Sequence, residues 1–254
     1  MIEILTDEEL ELMRKAGKVT AAVLKACKEA IKPGISTKDL DDIAMKIIKE
    51  SGGSAPCLGY GEPPFPAAVC TSVNNEVVHG IPSASRILKD GDIVTVDVVS
   101  ELNGLNADAA RTFLVGNVKK ETQLLVERTK QAFFEGYKQI KIGNRIGDVS
   151  SAVQQYAESF GYGVVRDLTG HGIGHKMHQD PDVPNFGKAG RGPRIQKGMA
   201  FCVEPMINMG TYRVLLCEDE WTIVTADGKP AAHYENTVII TADGPEMITL
   251  EEEI

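Results

Sequence analysis

Apolar residues return every three or four positions from Met13 to Ile31, and again from Leu40 to Ile48. Both runs predict amphipathic helices. Thr6 and Glu9 have the spacing of a capping box, and Leu5 and Leu10 that of a hydrophobic staple around it. Met13, Ala16, Val19, Val23, Leu24 and Cys27 continue one face until Lys32-Pro33-Gly34 stops the helix. A second helix starts at Ser36 to Asp39, places Leu40, Ile43, Ala44, Ile47 and Ile48 on one face, and ends at Gly52-Gly53.

Pro and Gly then dominate 54–70 and predict a loop. Beyond it the apolar pattern predicts strands at 69–73, 93–100 and 105–115 and helices at 122–138 and 146–160. Strands return near 200–207, 213–217, 221–225 and 233–241. No linker or low-complexity tract divides the chain, so 1–254 reads as a single domain.

An internal echo runs through that order. Ile31-Lys32-x-Gly34 recurs as Ile140-Lys141-x-Gly143, Asp39 as Asp148, and Gly52 as Gly161. His79-Gly80-Ile81 recurs as His171-Gly172-Ile173. In each half an acid, Asp97 or Glu204, ends an apolar strand six residues after a glycine. The shared order suggests a duplicated half-domain, roughly 1–118 and 119–254. Short apolar strands also resemble one another by chance, so the echo alone leaves both origins open.

Composition narrows the class of protein. With 43% hydrophobic and 25% charged residues the chain can bury a core without disulfides. A net charge of −9 argues against a dedicated partner in nucleic acid or an anionic membrane, so neither DNA nor membrane is expected. The five cysteines form no CxxC pair and read as reduced thiols of a reducing compartment. The acidic N-terminus is not a signal peptide, and no apolar run is long enough to span a bilayer. The expected location is the cytoplasm.

The chemistry lies on the strands. Asn103-Gly104 between two apolar runs is a two-residue hairpin signal. That turn pairs Leu102 with Leu105, Asp97 with Ala110, and Asp108 with Val99. Strand alternation then puts both aspartates on one face as diagonal neighbours, about 7–8 Å apart along the backbone. Asp97 sits among Val94, Val96, Val98 and Val99, where a carboxylate is costly without a compensating cation, donor or proton. Glu204 in Phe201-Cys202-Val203-Glu204-Pro205 and Glu235 in His233-Tyr234-Glu235-Asn236-Thr237 repeat the problem. For any one of them a hydrogen-bonded core acid or a buried salt bridge is the simpler reading. Four together favour a metal, because Arg111 is the obvious cation and points away from Asp108.

His171 adds an imidazole within Gly170-His171-Gly172-Ile173-Gly174. A histidine in a glycine turn is more often structural, and the glycines alone are a weak nucleotide signal without GK[ST] or a Rossmann unit. Zinc patterns such as HExxH are absent. A carboxylate-rich set with one imidazole suits two divalent ions bridged by a hydroxide.

Taken together, Asp97, Asp108, His171, Glu204 and Glu235 resemble the five-ligand set of the type I methionine aminopeptidases. The likeness runs over nearly the whole chain and includes the segment 75–82 and Trp221. Prolidase and aminopeptidase P share the ligand pattern but usually carry an extra N-terminal domain, and the type II methionine enzymes carry a late insertion. The resemblance implies an α+β "pita-bread" fold of two pseudo-two-fold related halves, with a curved, mainly antiparallel sheet and helices on its outer face. It also implies two divalent ions (Co, Mn, Fe or Zn), a monomer, and as substrates the N-termini of nascent polypeptides near the ribosome.

By the same resemblance, the ions lower the pKa of a bridging water and Glu204 assists proton transfer as it attacks the scissile carbonyl. His79 would position the substrate or its amide nitrogen, and His178 would donate to the developing oxyanion. Read alone, His79 is a turn residue and His178 a surface-loop residue. Cys57, Tyr60, Phe65, Cys70, Met177 and Trp221 match the family's methionine pocket, with His79 and His178 beside them; in isolation they read as core. Met177 stands where many relatives have phenylalanine, His175 where arginine is common, and Phe65 where tyrosine is common. His233 is a candidate to orient Glu235. The alternatives implied are cleavage before proline, or a non-catalytic pita-bread protein.

Overall fold

The computed structural model describes residues 1–250. Both predicted capping boxes form. Thr6 caps α1 (Asp7–Ala30) with Glu9 reciprocating, and Ser36 with Asp39 does the same for α2 (Thr37–Glu50). These helices bury Val23, Leu24, Cys27, Leu40, Ala44 and Ile48 against Val69, Val94, Val96 and Val98 of the strands beneath. Each fully buried aliphatic side chain of this kind contributes about 1.5–3 kcal/mol.

Beneath the helices lie β1 (Val69–Val73), β2 (Glu76–Val78), β3 (Ile93–Leu102) and β4 (Leu105–Leu114). Asn103 and Gly104 have φ of 56° and 81°, the paired positive values that a type I′ turn requires. The β3–β4 register runs without a bulge from Leu102↔Leu105 to Ile93↔Leu114, and it pairs Asp97 with Ala110 and Val99 with Asp108. The register expected from the sequence is the register found.

The second half again begins with two helices, α3 (Lys120–Tyr137) and α4 (Ile146–Glu158). Short strands follow: β5 (Gly163–Val164), β6 (Gly170–Gly172), β7 (Gln179–Val183), β8 (Ala200–Val203), β9 (Met206–Asn208), β10 (Val214–Leu216), β11 (Ile223–Thr225), β12 (Ala231–His233), β13 (Asn236–Thr241) and β14 (Gly244–Met247). Phe133 and Val149 of the helices pack on Phe201, Val203, Val238 and Ile240. One sheet has the order β1-β3-β4 and another β14-β13-β8-β6-β7, with antiparallel pairing throughout both. They meet where Arg111 bridges Tyr234 and the Glu235 N–H donates to the Ala110 carbonyl at 3.0 Å. The α+β expectation holds.

Two expected strands are each broken in two. The run 200–207 divides at Glu204-Pro205 into β8 and β9, because proline has no N–H for the ladder. The run 233–241 divides opposite that break: β12 ends at His233 and β13 begins at Asn236. Strands β2, β5, β6, β7 and β14 were not expected. They are two to five residues long, and all but β2 contain Gly or Pro, so no alternation marks them.

Candidate metal centre

The unbroken β3–β4 register brings Asp97 and Asp108 to one face, where their carboxyl groups share a hydrogen bond. The two glutamates meet by a different route. Strands β8 and β13 pair in the same antiparallel register as β9 and β12, with Val203↔Asn236 on one side of the break and Met206↔His233 on the other. Glu204 and Glu235, left between, therefore face one another. The bond from Glu235 N–H to Ala110 fixes that pair beside the aspartate hairpin.

His171 occupies the middle of β6, squeezed between β7 and β8. A Cβ on Gly172 would overlap the Asp180 carbonyl, and one on Gly170 the Cys202 carbonyl, so the flanking positions admit only glycine. The His171 Nδ1–H donates to its neighbour's carbonyl, Gly172 O, at 3.0 Å. That leaves Nε2 as a lone pair, 3.7 Å from Asp108 Oδ2 and 3.6 Å from Glu204 Oε1. Burial lowers the pKa of this imidazole to about 3, so it is neutral.

These separations are too long for hydrogen bonds. They suit donors around a common ion, since metal–ligand bonds of about 2.0–2.2 Å place neighbouring ligand atoms about 3–4 Å apart. Asp108, His171, Cys202 and Glu235 each offer an atom within 4.8 Å of the others. Asp108 Oδ1 and Glu235 Oε1 are buried without a hydrogen-bond partner. Such orphaned acceptors are rare in folded proteins and fit a cation.

The electrostatics agree. Burial pushes Asp97 up to about 7. Burial and then the neighbouring carboxylates push Asp108, Glu204 and Glu235 well above the usual range. Arg111 acts on Glu235 less than burial does. Its guanidinium donates to the carbonyls of Ala110, Glu235 and Thr249 and to Asn236 Oδ1. Divalent cations would relieve this crowding of negative groups, and the donor set is one that hard and borderline ions accept. His233 Nε2 lies 3.8 Å from both Glu204 Oε2 and Glu235 Oε2, so its ring touches each glutamate and not Glu235 alone.

All five residues line one cavity of about 320 Å³, with His79 and His178 on its wall. A second cavity of about 90 Å³ shares Asp97, Asp108, His79 and His178 and is closed by Cys57, Tyr60, Phe65, Cys70, Met177 and Trp221. Every site residue expected from the sequence is thus gathered here. Trp221 stands edge-on to Phe65 at 5.2 Å and to His79 at 6.1 Å, and its indole N–H donates to Pro63 O at 3.0 Å. His79 holds a left-handed φ of 59°, rare for a residue with a side chain, and burial lowers its pKa to about 4. His178 Nδ1 is 2.9 Å from the Tyr60 hydroxyl.

Four participants were not expected. The Cys202 thiol lies under the cluster, hydrogen-bonded to Glu235 and 3.5 Å from Thr237 Oγ1. Asp167 and Asp182 add negative charge to the wall of the larger cavity. Glu3 binds His175 Nδ1 at 2.9 Å and Gln179 Nε2 at 2.7 Å, and so ties down the loop carrying Met177 and His178. Only a fold that returns residue 3 to residue 175 reveals that tie.

The family model described as metallopeptidase family M24 matches residues 11–242. A methionine aminopeptidase of Clostridium acetobutylicum is 51% identical over 250 residues, which cover 98% of this chain and 99% of that protein. The crystal structure of the Thermotoga maritima methionine aminopeptidase superposes with a TM-score of 0.96 at 42% identity, covering 99% of this chain and 100% of the other. A prolidase from Pyrococcus furiosus shares the fold at 21% identity and a TM-score of 0.78, but the match covers only 66% of its length.

Proposed function

The chain belongs to metallopeptidase family M24 and has its pita-bread fold, and on that footing we propose that it is a methionine aminopeptidase, a metallohydrolase that removes methionine from polypeptide N-termini. The observation that carries the reading is the junction of the two cavities. The five side chains proposed as metal ligands line one, and a small wall of sulfur and aromatic groups closes the other. The scissile bond of a bound N-terminal methionine would lie between them.

Asp97, Asp108, His171, Glu204 and Glu235 would hold two divalent ions, drawn from Co, Mn, Fe or Zn. Bound there, such ions supply Lewis acidity and let water ionise near neutral pH. The remaining work falls to the chain. Glu204 would take a proton from the attacking water as a carboxylate and return it to the leaving amine. In the tautomer whose Nδ1 accepts from the Tyr60 hydroxyl, His178 Nε2 would carry the proton and donate to the carbonyl oxygen as it becomes an oxyanion. Neutral His79, on the wall of both cavities, would orient the substrate amide. Cys57, Phe65, Cys70, Met177 and Trp221 offer a polarizable lining for the thioether and exclude water.

Residues 1–254 act as one catalytic unit with internal halves of roughly 1–118 and 119–254. It works as a monomer in the cytoplasm on nascent chains near the ribosome. Among the described residues no helix is long and apolar enough to cross a membrane. The test is a comparison of Met-Ala-Ser with Xaa-Pro dipeptides, using metal-loaded protein. Release of methionine from the first, with little cleavage of the second, is expected. The opposite order would favour a prolidase, and inertness toward both would favour a binding protein.

A further inference from the structure

Three sulfur-bearing side chains line the smaller cavity. Cys57 Sγ lies 4.0 Å from Met177 Sδ. The Cys70 thiol interacts with that of Cys57, and all three side chains belong to one buried cluster that lines the same space. Cys57 comes from the loop before β1, Cys70 from β1 itself, and Met177 from the loop between β6 and β7. Three separate segments thus deliver soft donors to one cavity. Each is 7–9% exposed, so the sulfurs are sheltered yet open to the cavity.

We propose that Cys57, Cys70 and Met177 form a binding site for a soft monovalent cation, Cu(I), distinct from the carboxylate-rich centre beside it. Thiolate and thioether donors select Cu(I), whereas carboxylate and imidazole donors suit the harder divalent ions. The geometry fits. Metal–sulfur bonds of about 2.3 Å in a trigonal plane set neighbouring sulfurs about 4 Å apart, the separation already present between Cys57 and Met177. On binding, each thiol releases its proton to solvent as its sulfur bonds the ion, and the Met177 thioether donates a lone pair with no proton to lose. Copper stays monovalent and no electrons are exchanged. Met177 decides the site, since a phenylalanine there would leave only two sulfurs and a ring in place of the third donor.

Occupancy would also fill the space assigned above to the methionine side chain, so Cu(I) should inhibit the peptidase. Only this second consequence rests on the proposed function; the binding itself rests on the three sulfurs.

The experiment is an anaerobic titration of reduced, Mn-loaded protein with Cu(I) against a chromophoric Cu(I) chelator, followed by X-ray absorption on the bound metal. One Cu(I) per chain with only sulfur neighbours, at about 2.3 Å, is expected. Met177→Leu should weaken Cu(I) binding about tenfold or more, Cys57→Ser about 100-fold, and Cys217→Ser not at all. Nitrogen or oxygen neighbours at the copper, or an affinity unchanged in both Met177→Leu and Cys57→Ser, would overturn the site. The absorption measurement needs no variant, so a misfolded mutant cannot shelter the idea. Sulfur-bound copper that leaves Met-Ala hydrolysis untouched would overturn the inhibition and the reading of this cavity as the methionine subsite, while the sulfur site would stand.

Discussion

The Thr237 hydroxyl holds Asp108 by both sides of its backbone. It accepts the Asp108 N–H at 2.9 Å and donates to the Asp108 carbonyl at 2.9 Å. One side chain on β13 thus replaces two ladder bonds of β4, and it joins the halves of the molecule at a residue whose carboxylate belongs to the metal cluster. Because Thr237 is fully buried, water cannot substitute for it.

Thr237→Val keeps the shape and removes both bonds. It should cost about 1–3 kcal/mol of stability, the penalty for leaving buried backbone groups unpaired. Urea unfolding of the metal-free variant beside wild type checks this, and a shift in midpoint without a change in slope is expected.

Stability of the metal-free protein should fall as pH rises. Asp97 moves from an ordinary 3.8 to about 7 on folding, so the folded state binds the proton more tightly than the unfolded state. Its contribution is fully present below about pH 4 and lost as pH rises through about 7. Asp97→Asn should flatten that part of the pH–stability curve. Chemical denaturation of both proteins between pH 4 and 8 in chelator measures the difference, and identical curves would count against a buried, cation-seeking carboxylate.

Gly61 is a control point for the smaller cavity. It has a φ of +76°, and a Cβ there would lie 2.5 Å from the Trp221 ring. Gly61→Ala should push Trp221 off its Pro63 contact and open the pocket, raising KM for Met-Ala-Ser by about tenfold or more while metal content is unchanged. Steady-state kinetics with elemental analysis separates this from a loss of metal.

How far the site could be read in advance depended on how local its causes are. Asn103-Gly104 sets its own turn, and that turn sets the alternation bringing Asp97 and Asp108 together. Thr6–Glu9 and Ser36–Asp39 cap their helices across three residues and were equally legible. The meeting of Glu204 and Glu235 was not, because it depends on two strands some thirty positions apart keeping register through the Pro205 break. Nor was the setting of His171, whose flanking glycines are required by carbonyls of Asp180 and Cys202 on neighbouring strands. The acids stood out by their cost among apolar neighbours. Cys202 and Glu3 carried no such signal, since a buried cysteine and an N-terminal glutamate are unremarkable until the fold places them.

Calorimetric titration of chelator-stripped protein with Mn²⁺ or Co²⁺ under anaerobic conditions tests the central claim most directly. Two ions per wild-type chain are predicted, with Asp108→Ala losing at least one and releasing no methionine from Met-Ala-Ser at any metal concentration. Wild-type protein that stays folded yet takes up no divalent ion, or an Asp108→Ala variant that binds as wild type does, would contradict it.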